Sequence, residues 1–319
     1  SLALLAHQQI ASSLALLAHQ QIASSLALLA MTSAQSYVSL QEGGMILDEI
    51  VTVDRLPPAD ITLPVHGRIV RPEHALIEQL RDVSSAAAST TLYKMGVQRT
   101  FIRGPLPRTV GRRVVGPAVT LQFMPQREDV PSGMGPEHAE KSSALWMVFE
   151  TVEPGDVLVV QAFGDPYTGC VGEMLTTCFK GRGGAGMVVD GCVRDWARIR
   201  ELDVPLWSVG FTPNYATQAG LMPWGYNVPV ACGGVLVLPG DIVIADDDGA
   251  VIVPQQLASE VVRVARRHAE WEEFSRMKLA QGGSPQVYYP LSEEGRREYE
   301  EWRRQQGVGV KGEASRRKG

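Results

Sequence analysis

The stretch from Asp156 to Asp195 constrains this chain more than any other. Asp156 to Gln161 reads as an apolar strand. Turn formers follow at Gly164, Asp165, Pro166 and Gly169, and then Val171 to Phe179 carries apolar residues at Val171, Met174, Leu175 and Cys178, a helical spacing. A glycine-rich break at Gly181 to Gly186 precedes a second buried-strand pattern at Met187, Val188 and Val189, and Gly191 to Asp195 lies at the end of that strand. Strand, helix, strand in this order calls for an α/β arrangement, and open α/β sheets bind ligands beyond their strand ends.

That geometry places chemistry where the sequence has the residues for it. The first amides of a helix beginning near Val171 lack intrahelical acceptors, so with the helix dipole they favour a carboxylate or phosphate, and Gly169 and Gly172 let a ligand approach the backbone. Arg194 offers a planar cation for oxygen anions, and Asp195 offers a carboxylate for a hard divalent cation. Glu173, at the start of the helix, is placed to hold a water. The same three residues also fit a surface ion pair with a helix-start glutamate that complements the dipole.

The segments GCVGEML, DGCVRD and GGVLVLPGDIVIADDDGAVIVP resemble the RraA-like proteins, a family that includes the class II 4-hydroxy-4-methyl-2-oxoglutarate / 4-carboxy-4-hydroxy-2-oxoadipate aldolases. The resemblance runs from about Arg81 to Pro254. It implies a swivelling β/β/α sandwich with mixed sheets, assembled as trimers or as hexamers built from trimers, with active sites at subunit boundaries. It implies that Asp195 ligates Mg2+ or Mn2+ directly, that Arg194 stabilises a pyruvate enolate at the keto oxygen, and that Glu173 reaches metal-bound water. Backbone around Gly172, Met174 and Leu175 would hold the substrate carboxylate. This chain has Glu at 173 where those aldolases have Asp, which keeps the charge on a longer arm. An acidic residue from a neighbouring subunit's carboxyl-terminal helix completes the outer shell in those enzymes, and Glu270, Glu272 or Glu273 is the match here. The family also includes a regulator that binds and inhibits ribonuclease E, so membership does not by itself make a chain an enzyme.

Composition excludes several other classes. With 45% hydrophobic residues, 20% charged residues and a net charge of -5, the chain can build a core and carries no basic field for nucleic acid. No apolar run approaches the roughly 20 residues of a membrane span. Cys170, Cys178, Cys192 and Cys232 lack metal-ligand spacing and suit a reducing cytoplasm; Cys170 and Cys192, which flank the candidate site, read as small buried residues. His66, His74, His138 and His268 do not pair as ligands, and there is no G-x-S-x-G elbow. The letters GRGGAG follow a helix and lead into a strand, the reverse of dinucleotide-binding order, and so read as a turn.

Residues 1–30 repeat SLALLAHQQIAS twice and begin it a third time, with no Lys or Arg. They read as an expression-derived addition before a native start at Met31, the alternative being an amphipathic oligomerisation helix. An irregular extension runs through Pro72, and a catalytic core spans 73–254. Within the core, helices are expected at Glu73 to Arg81, from Ser84 to near Gly96, and at Glu137 to Val152; Trp196 to Leu202 forms a shorter one. Val114 to Phe123 reads as a strand whose Pro117 suggests an edge or bulge, Leu206 to Phe211 as another, and Thr212 to Pro223 as a long loop. Val235 to Leu238, Ile242 to Ile244 and Ala250 to Val253 read as a meander whose Asp246-Asp247-Asp248-Gly249 turn lacks calcium-loop spacing. The region 255–319 holds a long helix at Gln255 to Ala280, further helical extension, and a charged end with Lys311, Arg316, Arg317 and Lys318 that reads as flexible, with contact to RNA or a partner as the lesser reading.

The reading these features support is a divalent-metal-dependent carbon–carbon lyase on a 2-oxo acid, by retro-aldol cleavage to pyruvate or by decarboxylation of an oxaloacetate-type acid. The alternative is a noncatalytic regulator that binds a ribonuclease or another protein.

Overall fold

The computed structural model describes residues 61–306 apart from 128 and 131–140. The repeat at 1–30, the extension before 61, His138 and the basic residues after 306 lie outside them. Four parallel strands form the centre of the fold: β4 (Val114–Pro125), β5 (Val157–Val171), β6 (Gly186–Val193) and β7 (Leu206–Phe211). Beyond β4 the sheet continues antiparallel through β11 (Ile242–Asp246) and β12 (Gly249–Val253) to the short β2 (Phe101–Ile102), and beyond β7 it ends at β3 (Leu106–Pro107). The far half of β4 also pairs with β8 (Leu221–Tyr226), which carries β1 (Val65–His66) on its other side. The sheet is therefore mixed, in keeping with the α/β sandwich expected.

Three apolar clusters hold the layers together. On one face, Val119, Leu121, Leu158, Val160, Met187 and Val189 pack under α3 (Ala144–Glu150) and α4 (Glu173–Gly181). Phe149 of α3 and Phe179 of α4 meet edge to face at 6.4 Å, which ties the two helices to each other as well as to the sheet. The opposite face buries Val157, Val159, Val188 and Trp207 beneath β9 (Val230–Cys232) and β10 (Val235–Val237). A third cluster seats α1 (His74–Leu80), α2 (Ser85–Lys94) and α6 (Ala258–Ala280) on β11 and β12. After α6 the chain forms α7 (Pro285–Tyr288) and α8 (Glu293–Gln305), where Phe274 is buried among Tyr288, Tyr299 and Trp302.

Several sequence expectations change. The helix expected from Val171 begins at Glu173, because Val171 is committed to the sheet: it pairs with Val193, and its carbonyl accepts from Arg194 N–H at 3.1 Å. The turn formers from Gly164 to Gly169 are an irregular part of β5 rather than a loop outside it. β4 is central, not an edge; Pro117 sits where β4 passes from pairing with β11 to pairing with β5, so its missing N–H interrupts neither ladder. The meander loses its first strand, since β10 pairs with β9 and only β11 and β12 form the hairpin. The Asp246 to Gly249 segment is the polar hairpin turn expected, and the Asp246 carboxylate has a further role: it accepts from the Ser85 amide at 2.9 Å and hydroxyl at 2.5 Å, fixing the start of α2. Among the described residues the Glu137 to Val152 helix is interrupted: Lys141 is helical, Ser142 and Ser143 break the helix with Ser143 in extended conformation, and α3 follows.

Candidate active site

β5 and β6 run in simple register from Val157 opposite Gly186 to Gln161 opposite Asp190. Beyond that point β5 uses the ten residues from Ala162 to Val171 against the three from Gly191 to Val193, slipping register three times. The surplus chain stands proud of the strand end, with Phe163 and Gly164 in left-handed conformations at φ 57° and 69°. Thr212 Oγ1 and Asn214 Nδ2 donate to the Tyr167 carbonyl at 3.3 and 3.0 Å, and Thr168 N–H donates to Asp165 at 2.7 Å, so this excursion is held at both ends.

Gly172 connects β5 to α4. Its backbone is extended (φ -114°, ψ -175°), so the glycine is required for space rather than for torsion. A Cβ there would lie 2.8 Å from Asp195 Oδ2, 2.9 Å from Arg194 Nε and 3.1 Å from Arg194 Cγ. The break after α4 has a similar cause, since a Cβ at Gly184 would overlap the buried Phe179 ring at 2.3 Å.

Asp195 lies beyond β6 in the left-handed region (φ 59°, ψ 31°), a conformation a short polar side chain tolerates better than most. Its carbonyl starts α5 (Trp196–Ile199) by accepting from Arg198 and Ile199, and its carboxylate turns toward α4. Asp195 Oδ2 accepts from Glu173 N–H at 3.3 Å and lies 3.2 Å from Arg194 Nε. The side chains of Arg194 and Asp195 are 41% and 42% exposed, so both are open to a small molecule. One of the three first-turn amides of α4 is thus taken by Asp195. Those of Met174 and Leu175 donate to no group among the described residues, and neither ion pair nor hydrogen bond holds the Glu173 carboxylate there.

The structure therefore brings Gly172, Glu173, Met174, Leu175, Arg194 and Asp195 to one place at the carboxyl ends of β5 and β6. Glu270, Glu272 and Glu273 are elsewhere in the chain: Glu270 faces Arg303 at 3.9 Å, and Glu272 and Glu273 line a groove between α2, α6 and α8. The cysteines are all unbonded. Burial pushes the thiols of Cys170, Cys192 and Cys232 up, so none is an activated thiolate. Asp190, one layer below, is buried and accepts from Gly233 N–H at 3.0 Å; desolvation raises its carboxyl while that bond opposes the rise.

Sequence reasoning missed the supports of the site. Trp196 and Phe211 stack at 4.7 Å beside Asp195, with the Arg108 guanidinium 5.1 Å from the Phe211 ring. The Asn214 carbonyl lies 2.2 Å from where a Gly169 Cβ would be, and Arg194 Cβ lies 3.2 Å from that point, so Gly169 is wedged between the 212–215 segment and the candidate arginine. Arg108 and Asn214 occur in segments without periodicity or motif, where no sequence signal distinguishes them.

The mixed α/β sandwich thus sets a cation, a carboxylate and free helix amides at one strand end, an arrangement chemically able to receive a small anion. Residues 81–252 match the RraA-like family model, described as Aldolase/RraA, and the chain belongs to that family. It is 31% identical over 191 residues to a Halalkalibacterium halodurans protein named "Putative 4-hydroxy-4-methyl-2-oxoglutarate aldolase", covering 60% of this chain and 82% of the relative. Streptomyces coelicolor RraAS2, described as an unusual member of the RNase ES inhibitor RraA family, is 54% identical; the match covers 66% of this chain and all of that one, with a TM-score of 0.61. An uncharacterized Pseudomonas syringae protein shares the fold at 24% identity and a TM-score of 0.58, over 69% of this chain and 99% of its own. Among the described residues no helix is long and apolar enough to cross a membrane.

Proposed function

We propose that this protein is a divalent-metal-dependent carbon–carbon lyase that acts on a 2-oxo acid through an enolate. The observation that carries the reading is the convergence of Arg194, Asp195 and the two free amides of α4 around a gap that only a glycine at 172 leaves open. The donor set fits Mg2+ or Mn2+ better than zinc. Among the described residues no group of three or more His, Cys, Asp or Glu could hold an ion, whereas Asp195 alone suits a cation that keeps several waters and substrate oxygens. Asp195 would hold that cation, which supplies Lewis acidity toward the keto and carboxylate oxygens of the substrate.

The chain's own residues divide the remaining work. The Met174 and Leu175 amides receive the carboxylate beside the keto group, with the dipole of α4 behind them. Arg194 stands at the keto oxygen, where negative charge grows as the enolate forms; a preorganised donor there is worth roughly 3 kcal/mol. Glu173 holds the mobile proton. In the retro-aldol direction its carboxylate takes the proton of the 4-hydroxyl, the C3–C4 bond breaks with its electrons moving into the enolate, and protonation at C3 yields pyruvate. With an oxaloacetate-type acid, loss of carbon dioxide produces the same enolate.

Phe163, Tyr167, Met174, Phe211 and Tyr215, on the segments that carry and flank the site, are exposed, which supports a homotrimer or hexamer in which a neighbouring copy covers them and brings Glu270, Glu272 or Glu273 to the outer shell. The four unbonded cysteines support a cytoplasmic setting. One observation favours a second reading, a noncatalytic regulator: the 54% identical Streptomyces relative is described within an RNase ES inhibitor family.

Pyruvate α-proton exchange followed by NMR separates the two without knowledge of the natural substrate. Exchange by the wild type with Mg2+ or Mn2+, lost in Arg194→Lys at little cost in thermal stability, supports the lyase, because lysine keeps the charge but not the planar fork. Absence of exchange and of oxaloacetate turnover with both metals would transfer the assignment to the regulator.

A further inference from the structure

We propose that Arg108 determines specificity at this site by pairing with an anionic group, a second carboxylate, at the far end of the 2-oxo acid. The inference rests on the ligand seat described above, though not on the chemistry performed there. Arg108 follows β3 at the sheet edge, and its amide donates to the Leu206 carbonyl at 2.8 Å. Its side chain runs along β7 toward the strand end. Nε donates to Ser208 O and Oγ at 3.1 and 3.2 Å, and Nη2 donates to Ser208 O at 2.8 Å and Val209 O at 2.5 Å.

These bonds fix the plane of the guanidinium and leave Nη1 without a partner among the described residues. No carboxylate of the described chain pairs with Arg108. Asp165, the nearby acid, has its Oδ2 on the Thr168 amide. The cation is therefore anchored by neutral carbonyls, half-buried, and uncompensated, an arrangement that costs desolvation unless an anion arrives.

Its place in the fold links it to the candidate site. Phe211, 5.1 Å from the guanidinium carbon, pairs in register with Val193, the residue before Arg194. The other contact of Phe211 is Trp196, the residue after Asp195, at 4.7 Å. Phe211 and Trp196 thus connect Arg108, on the β7 side of the sheet, to the end of β6 where Arg194 and Asp195 lie. The thiol of Cys192, two residues before Arg194, is raised by burial and by Asp165 and lowered by Arg108, so the charge acts at this end of the sheet. Two cations separated by an apolar shelf match a ligand with an anion at each end and carbon between them. A 2-oxo acid with an uncharged tail would leave Arg108 unpaired.

The test compares 2-oxoglutarate with 2-oxovalerate, which has the same carbon count and a methyl in place of the second carboxylate. Binding of each by calorimetry in the presence of Mg2+ should show the wild type preferring 2-oxoglutarate about tenfold or more, as expected for a charge-assisted bond. Arg108→Gln should bring the ratio of the two dissociation constants close to one, and Arg108→Lys should retain part of it. A preference that survives Arg108→Gln, or a wild type that binds the two ligands equally or binds neither, overturns the assignment. A preference that Arg108→Gln erases, in a protein with no turnover of any 2-oxo acid, would support Arg108 while overturning the lyase, so the two readings fail separately.

Discussion

Gly172→Ala isolates the geometry of the site from the stability of the fold. The backbone at 172 is already extended, so alanine brings no torsional strain. Its new methyl meets Asp195 Oδ2 at 2.8 Å and Arg194 Nε at 2.9 Å, where ordinary contact begins at 3.4 Å. Both groups must retreat by roughly half an ångström, and since a misplacement of about 1 Å costs on the order of a hundredfold in rate, the expected loss is about tenfold. Stability should respond differently. The obstructing side chains are each about two-fifths exposed and free to move, which limits the cost of the clash. Replacing glycine at a compatible position restricts the unfolded chain and stabilises by roughly 0.4–1 kcal/mol. The two effects offset each other, leaving a net change within about 1 kcal/mol. Pyruvate proton exchange and urea denaturation on the same preparation give both numbers. Wild-type exchange in Gly172→Ala would refute the argument that this gap seats the reacting groups, and a loss of activity matched by a loss of fold would show that the methyl acts through the core instead.

Gly169→Ala should behave in the opposite way, because its Cβ meets the Asn214 backbone carbonyl at 2.2 Å rather than a movable side chain; urea melts should show a destabilisation of roughly 1–3 kcal/mol, and an unchanged midpoint would mean that the 212–215 segment is not held as described. Asp190→Asn tests the buried carboxyl: its folded pKa is raised, so its contribution to stability is fully present below the ordinary value of 3.8 and is lost as pH rises through the raised value. Asparagine retains an oxygen for Gly233 N–H and does not ionise, so the stability of the variant relative to wild type should improve as pH rises above 3.8 and through the raised value; a difference that stays constant with pH would sink the assignment. Asp195→Ala should abolish metal-dependent exchange while leaving the oligomeric state by light scattering unchanged, and full activity at saturating Mg2+ would count against Asp195 as the ion's holder.

Much of the fold was legible because it rests on local rules. Leu206 to Phe211 is a short, largely apolar run and forms β7 at those bounds; Ser84 precedes a small-residue run and caps α2 through its side chain; Gln255 to Ala280 carries helical periodicity and is helical throughout. The errors share a cause. Val171 has helical spacing with Met174 and Leu175, yet the ladder with Val193 captures it, and the β10 segment meets β9 although the next strand along the chain is β11. Propensity orders the options for a segment, and a cross-strand partner distant in sequence selects among them.

The sequence by itself determined that Arg194 and Asp195 lie together beyond a strand end, because they are chain neighbours after an apolar run, and that a glycine precedes a helix start rich in unpaired amides. Only the tertiary structure decided that these two features face each other. The register of β5 on β6 carries Gly172 over Asp195, the left-handed turn at Asp195 aims its carboxylate at α4, and the approach is close enough to exclude a methyl group. Arg108, Asn214 and the Trp196–Phe211 wall belong to the same category. Their roles depend on backbone carbonyls and ring faces supplied by other strands, and such partners leave no periodic mark on the residues that use them.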